Sequence, residues 1–530
     1  MSDVPTSAFG TLRALFALAG AGWVLAREGV ISALPADALS PTGKAAHRFA
    51  GMVARRRSMQ RQKSERLSVA LNKLGPSWVK LGQFLATRPD VVGTDIASDL
   101  ELLQDRMRPF PQAEARRRIE ESLGRPLEEI FSEFGEPVAA ASIAQVHKAK
   151  RVSDGIDVAV KVIRPGVRTR FRRDLDTFYT AARLQEKHIP SSRRLRPVAV
   201  VDTLMQSARI EMDLRLEAAA LSELAANIAD DPGFRVPSVD WVLTGRDCLT
   251  MQWVDGIKLT EVDKVEAAGH DLKHLAATLV QSFLRHTLRD GFFHADMHPG
   301  NLFVDASGDI VAVDLGIMGR LGRHERRFLA EILYGFITRD YHRVAAVHFE
   351  AGYVPRHHSV DSFAQAIRAI GEPIHDQPAD TISMAKLLTL LFEVTELFDM
   401  QTRPELILLQ KTMVVVEGVA RTLDPEFNMW KTSEPVVGDW IRRNLGPAGM
   451  LEDAKEGLSA VGHLLHILPE LAGRAEALSV SMAEMTENGM RLDEETVEAI
   501  GRAEARRNRW SNLALWAIAL LLVVIAIRMH

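Results

Sequence analysis

A chain of 530 residues with 47% hydrophobic and 25% charged residues is long enough for two or more domains and has a globular composition, which excludes disorder for most of its length. Its single cysteine, Cys248, excludes an internal disulfide framework, suits a reducing compartment and is expected to be a small core residue. The formal net charge of −4, with no aromatic residues interleaved among the clustered cations and no recognisable nucleic-acid-binding motif, argues against nucleic acid as a partner.

From the N-terminus, residues 14–26 form an apolar stretch between Arg13 and Arg27 that is too short to span a bilayer. We expect an amphipathic helix lying on the protein or on a membrane surface. Arg55, Arg56, Arg57, Arg61, Lys63 and Arg66 then crowd together, as on a solvated helix face that could meet anionic lipid headgroups. Gly75-Pro76 breaks the chain and starts a helix running to Arg88. Trp78, Leu81 and Leu85 give it an apolar face, and Lys80 and Gln83 sit one turn apart on another. Gly82 costs such a helix about 1 kcal/mol relative to Ala, so a close approach by another backbone or a ligand is expected there.

Residues 111–134 read as one or two further helices, after which the pattern turns to strands over 137–147, 148–152 and 157–162, with a Ser153-Asp154-Gly155 turn. The last of these carries Val158-Ala159-Val160-Lys161, the pattern of a lysine that holds nucleotide phosphates. Lysine is also common on edge strands, so the tetrapeptide alone is weak. A helical segment over 208–224 strengthens it by offering Glu211, Asp213 and Glu217, one of which could fix the ammonium in an ion pair. Residues 236–254 read as strands leading to a crossing between lobes, where backbone near Gln252 and Val254 could bond an adenine.

A helix over 272–289 precedes His294-Ala295-Asp296-Met297-His298-Pro299-Gly300-Asn301. Such residues are ordinary in a polar turn. Here, though, a carboxylate and an amide stand five residues apart, as phosphoryl transfer requires: Asp296 to orient the attacking group and Asn301 to offer a neutral oxygen to a metal. A predicted hairpin over 302–313 then delivers a second carboxylate, Asp314, in Asp314-Leu315-Gly316, and this tips the balance toward chemistry. Beyond it the chain reads as helical over 329–336, 361–370, 382–398 and 404–423, with no Ala-Pro-Glu triplet and no long Ser/Thr-bearing segment. Residues 482–509 look like a charged stalk, and 510–529 reach the roughly 20 residues that cross a bilayer. Arg502, Arg506, Arg507 and Arg509 before that span place the bulk of the protein in the cytoplasm, while Arg528 leaves an interfacial helix as the alternative.

Over roughly residues 12–468 these motifs resemble the UbiB/AarF family of atypical kinase-like proteins associated with ubiquinone biosynthesis. The family's Lys-x-Gly-Gln motif matches Lys80-Leu81-Gly82-Gln83, with Leu103-Gln104-Asp105 after it. Its alanine-rich nucleotide loop matches 139–147, its Glu-x-Asp motif Glu211-Met212-Asp213, and a late helix 417–425. Departures are Ala144, where the family often has glycine, Ala220, where a polar residue is usual, and one C-terminal span where many bacterial members have two.

The resemblance implies an α+β, bilobal protein-kinase-like fold with an N-terminal helical extension (1–110), a small lobe (111–256), a helical large lobe (257–470), a stalk (471–509) and a C-terminal transmembrane helix (510–529). Asp296, Lys161 and Glu217 would be catalytic, and Asn301 and Asp314 would hold magnesium. Ala139, Ala140, Ala141, Ser142, Lys161, Gln252 and Val254 would bind ATP, while Lys80, Gln83, Glu211 and Asp213 would regulate. Implied partners are membrane lipids, quinone intermediates and quinone-biosynthesis enzymes at the cell inner membrane, with the oligomeric state open. ATP hydrolysis rather than protein phosphorylation would be the activity, and Ala295 before Asp296 agrees, since no phosphate-binding cation stands there. Two other classes compete. A small-molecule phosphotransferase of the aminoglycoside or choline kinase type has similar loops, but Lys80 to Gln83 and Ala139 to Ser142 argue against it. A pseudokinase scaffold would not need the whole set of Lys161, Asp296, Asn301 and Asp314.

Overall fold

The computed structural model describes residues 8–33, 62–86, 107–188, 196–375 and 404–445, with scattered positions among 47–58, 92–103 and 394–400. Nearly all of these belong to one compact unit, Met1–Arg442; of the other, Arg443–His530, only residues 443–445 are described. The expected stalk and the expected transmembrane helix at 510–529 lie outside the described residues, as does most of the expected helix over 382–398. Among the described residues no helix is long and apolar enough to cross a membrane.

The N-terminal extension holds α1 (Ala8–Arg27), α2 (Lys63–Leu74) and α3 (Pro76–Ala86). Gly75, at φ 108°, turns the chain between α2 and α3 in a conformation that costs glycine little, and Pro76 opens α3 where its missing N–H is not needed. Gly82 does mark a close approach, but by neighbouring side chains: a Cβ there would stand 2.4 Å from Leu103 and 2.7 Å from Leu71. Two described members of the basic cluster are tied to the fold. Arg66 is buried and donates to the Gly29 carbonyl, and Arg55 pairs with the buried Glu28, because α1 and α2 pack together there.

After α4 (Gln112–Leu123) and α5 (Leu127–Ile130) come β1 (Phe131–Ala140), β2 (Ala144–Arg151) and β3 (Asp157–Ile163). The strand starts at Phe131, inside the stretch expected to be helical. Register shifts at Phe131/Glu133 and Phe134/Pro137 break the two-residue alternation, and the resulting burial of Phe131 and Phe134 three apart imitates a helix in the sequence. The expected β2–β3 hairpin forms, with Gly155 at φ 68° and the Asp154 carboxylate accepting from the Ile156 amide.

Then follow α6 (Val167–His188), α7 (Pro197–Glu211), α8 (Leu214–Asn227), β4 (Phe234–Arg235) and β5 (Cys248–Gln252). The helix expected over 208–224 is two helices, because the Asp213 side chain accepts from the Arg215 amide and caps a fresh start. Between β4 and β5 the chain loops instead of forming strand, since Asp240 accepts from the amides of Val242 and Leu243. The small-lobe sheet runs β1-β2-β3-β5, all antiparallel. Cys248 is buried in it, as expected. The extension docks on α6 and α7, where Trp78 meets Phe178 edge-on at 4.9 Å, a contact worth about 0.5–1.5 kcal/mol beyond the area it buries.

The large lobe contains β6 (Gly256–Lys258), α9 (Val262–Ala267), α10 (Leu272–Arg285), β7 (Phe292–His294), β8 (Leu302–Asp305), β9 (Ile310–Ala312) and β10 (Met318–Arg320). The helices α11 (Arg323–Thr338), α12 (Tyr341–Glu350), α13 (Val360–His375), α14 (Pro404–Leu423) and α15 (Met429–Asn444) complete it. Its sheets are β4-β9-β8-β6 and β10-β7. Helix α10 stops at Arg285 and widens into a π-turn over His286–Asp290, ended by Gly291, where a Cβ would stand 2.4 Å from the Leu321 carbonyl oxygen. Helix α10 packs on α14 in the main core.

Candidate active site

Side-chain alternation along β3 aims Lys161. Val158, Val160 and Val162 join the apolar cluster that includes Phe131 and Ile119, whereas Ala159 and Ile163 face the main core, so Lys161 shares the second side. There its Nζ donates to both oxygens of Glu217 on α8, at 2.8 and 2.9 Å, and to Oδ1 of Asp314 at 2.7 Å. The pair expected from sequence is therefore made by Glu217, on the helix that Asp213 starts.

Burial works against the charge on Lys161, but Asp314 and Glu217 outweigh it and raise the pKa far above the usual lysine range. Burial pushes Glu217 up to about 7 against the pull of Lys161, with the charges of Asp314 and Glu211 adding to the rise. For Asp314 burial is again the largest effect, yet the Lys161 ammonium overcomes it and holds the carboxyl below its ordinary value.

Asp314 follows β9 at φ 62°, a left-handed conformation uncommon outside glycine and costing about 1–3 kcal/mol. Buried Leu315 beyond it and the bond from the Val313 amide to the Asn301 carbonyl hold it there. This backbone turns the carboxylate toward Lys161, 2.7 Å away. Across the loop Asn301 donates from Nδ2 to Asp296 Oδ2 at 3.3 Å and to the Asp296 carbonyl at 3.2 Å. With its nitrogen committed to Asp296, Asn301 keeps its amide oxygen as an acceptor. His294, buried and held neutral by that burial, accepts the Asp296 amide on Nδ1 at 3.2 Å. The charges of Asp296 and Asp314 both reach His294, so the two carboxylates share one site.

The loop is pinned from outside by residues the sequence reading missed. The Ala295 amide donates to the Ile317 carbonyl, and Thr412 Oγ1 of α14 shares its proton between the Leu408 carbonyl of its own helix at 2.8 Å and the Ala295 carbonyl at 3.1 Å. The available signal was a threonine amid the apolar residues of 404–423; at 1% exposure it needs a partner.

The extension reaches the rim of the site. Lys80, nearly buried, pairs with Glu211 Oε2 at 2.5 Å, and its charge helps to lower the Asp314 pKa. Asp213 is not brought to Lys80: it caps α8 and forks with Arg215 at 2.9 and 2.7 Å. Gln83 is half-buried on α3. In the alanine-rich stretch, Ala139 and Ala140 are strand residues opposite Val146 and Gln145, and only 141–143 turn, with Ser142 buried. At the lobe crossing the Gln252 amide is used within the small lobe, donating to the Ser238 carbonyl at 2.8 Å; Val254 lies between β5 and β6. Magnesium would suit these donors, because the Asp314 carboxylate and the Asn301 amide oxygen are hard oxygen ligands.

Comparison with known proteins gives concordant matches. Residues 102–348 match the ABC1 atypical kinase-like domain and residues 367–428 the UbiB helical domain. A protein of Marinobacter nauticus described as "Probable protein kinase UbiB" is 42% identical over 401 residues, 75% of this chain and 73% of that one. Proteins with the same description from Aliivibrio fischeri (39% over 412 residues, 77% and 76% of the two chains) and Pseudomonas paraeruginosa (40% over 414 residues, 77% and 78%) are similarly close. A Mycobacterium tuberculosis protein solved in complex with erythromycin aligns at TM-score 0.42 and 25% identity, over 69% of this chain and 96% of that one.

Proposed function

The chain belongs to the UbiB family of ABC1 atypical kinase-like proteins, and from that premise we propose that it is a membrane-anchored, magnesium-dependent atypical kinase or ATPase that supports ubiquinone biosynthesis. The observation that carries this reading is the Lys161 ammonium bracketed by Glu217 and Asp314 beside the Asp296–Asn301 pair. Glu217 holds Lys161 where it can take nucleotide phosphate oxygens. Asp296, steadied by Asn301, orients the attacking water or hydroxyl and accepts its proton. Asp314 and Asn301 would hold the metal, which would supply positive charge to the phosphates when bound. Burial disfavours a charge on His294, so the ring adds no cation of its own beside Lys161.

Lys80, anchored by Glu211 at the edge of the same charges, supports hydrolysis over transfer to a peptide, because the extension occupies that rim. Membrane attachment is supported by the apolar run at 510–529 and by α1, which buries Ala14, Ala21 and Ala26 and leaves Leu15, Phe16 and Trp23 exposed. The test is phosphate release from magnesium ATP by the full chain. Asp296→Asn and Asp314→Asn should each lower it at least about a hundredfold, and cells carrying either variant should match cells lacking the protein in quinone content. Rates equal to wild type in both variants would overturn the assignment.

A further inference from the structure

The segment joining the N-terminal extension to the small lobe lies along the alanine-rich turn and is bonded to it. The Met107 amide donates to the Ala140 carbonyl at 3.0 Å. Arg164, which follows β3, donates from Nη2 to the Ala141 carbonyl at 2.9 Å and to the Arg108 carbonyl at 3.1 Å. Its guanidinium lies 5.4 Å from the Phe110 ring centroid, and its own amide donates to the Ile143 carbonyl at 2.7 Å. One side chain thus grips both the linker and the turn.

The linker is locked in register at its other end by Gln145, which is 1% exposed: Oε1 accepts the Phe110 amide at 3.0 Å while Nε2 donates to the Phe110 carbonyl at 3.3 Å. Gln145 is in turn fixed by His147, whose Nδ1 donates to the Gly135 carbonyl at 2.8 Å and whose Nε2 therefore accepts from Gln145 Nε2 at 2.9 Å. In a trans peptide the C=O and the following N–H point opposite ways. Holding the Ala140 and Ala141 carbonyls toward the linker and Arg164 therefore sets where the Ala141 and Ser142 N–H groups point. The first donates to the Ala144 carbonyl at 2.8 Å and closes the turn. The second faces away from Arg164.

We propose that Arg164 is a positioning residue for the nucleotide, a strap that ties the linker of the N-terminal extension to the alanine-rich turn so that the geometry of the phosphate-facing backbone depends on where the extension sits. The inference rests on the ATP-site reading above. Its chemistry is that of polyphosphate recognition by backbone amides, which is sensitive to small changes in peptide orientation.

The experiment uses the full chain with Arg164→Ala and Arg164→Lys, the second keeping a cation but not the planar fork. ATP and ADP affinities, kcat and KM are measured alongside urea stability and hydrogen exchange at the Met107 and Ala141 amides. Arg164→Ala is expected to weaken ATP binding about tenfold, the loss of a charge-assisted bond, chiefly through KM. The Met107 and Ala141 amides should exchange faster. Arg164→Lys should keep wild-type urea stability and still bind ATP more weakly, which a merely structural arginine would not produce. Unchanged ATP affinity in both variants, or unchanged exchange at Met107 in Arg164→Ala, overturns the strap. Failure of the wild-type chain to bind nucleotide at all overturns instead the reading of the site, and the positioning role with it.

Discussion

Removal of Lys161 or of its partner tests the site most directly, and the structure sets the expected sizes. Three short contacts converge on Lys161 Nζ, two from Glu217 and one from Asp314, and charge-assisted bonds contribute about 1.5–3 kcal/mol each. Glu217→Gln keeps one acceptor oxygen and leaves Asp314 in place, so the ammonium is not stranded and the loss of stability should be about 2 kcal/mol. Lys161→Met is worse: it leaves Glu217, 7% exposed, with no cation, for which about 3–5 kcal/mol is expected at pH 8.

That cost should depend on pH. Glu217 is already raised to about 7 from an ordinary 4.5, so its contribution is fully favourable below 4.5 and is lost as the pH rises through about 7. Without the lysine the folded pKa climbs further and the loss moves to higher pH. Lys161→Met should therefore lose up to about 2.7 kcal/mol between pH 6 and pH 8, two pH units of linkage, where wild type loses about 1.4, so the excess over wild type is at most about 1.4 kcal/mol. The assay is urea unfolding of wild type, both single variants and the double variant at pH 6 and 8. The double variant should be milder than the sum of the singles by about 2 kcal/mol or more. Additivity within about 0.5 kcal/mol, or a Lys161→Met cost that does not change with pH, would refute the reasoning.

Glu28→Gln removes a buried carboxylate held by Lys73 at 2.7 Å and Ser58 at 2.9 Å, and because the cations are nearly half exposed the cost at pH 7 should be about 1–3 kcal/mol. Burial pushes Glu28 up, but the bonds from Lys73 and Ser58 hold it below the ordinary 4.5, so its stabilisation is present above pH 4.5 and disappears as the pH falls through the lowered value. Urea melts at pH 7 and pH 3 should show the gap between wild type and variant closing, and a constant gap would sink this account. Thr412→Val should cost about 1 kcal/mol and lower phosphate release while leaving ATP affinity intact, because the bond it removes steadies the Ala295 carbonyl, not the nucleotide. A nucleotide titration that weakens in parallel with turnover would show that Thr412 acts on the whole site.

Where the chemistry depends on neighbours in sequence, the sequence alone settles it. Asp296 and Asn301 face each other because five residues of one loop separate them, and Asp314 follows because a hairpin of matching length leads to it. Lys161 is read from two-residue alternation along β3, and α14 runs from Pro404 to Leu423 as its periodicity predicts. Local rules fail where a distant group competes. The run over 208–224 is one helix by propensity and two in the fold, because Asp213 caps its own segment and Glu211 is drawn to Lys80. Phe131 and Phe134 look helical until register shifts put both against the same core. Arg66 belongs to a basic cluster in the sequence but is folded inward onto Gly29, and the large apolar residues of α1 face outward because small alanines fit against α6. Thr412 and Ala295 stand 117 residues apart, and Lys161 and Asp314 153. Hydrophobic periodicity and motif spacing act over a few residues, so they decide which groups exist and which way a strand or helix presents them. Which of those groups touch is decided by packing between elements remote in the chain, where burial makes each unpaired charge or hydroxyl costly enough to select its partner.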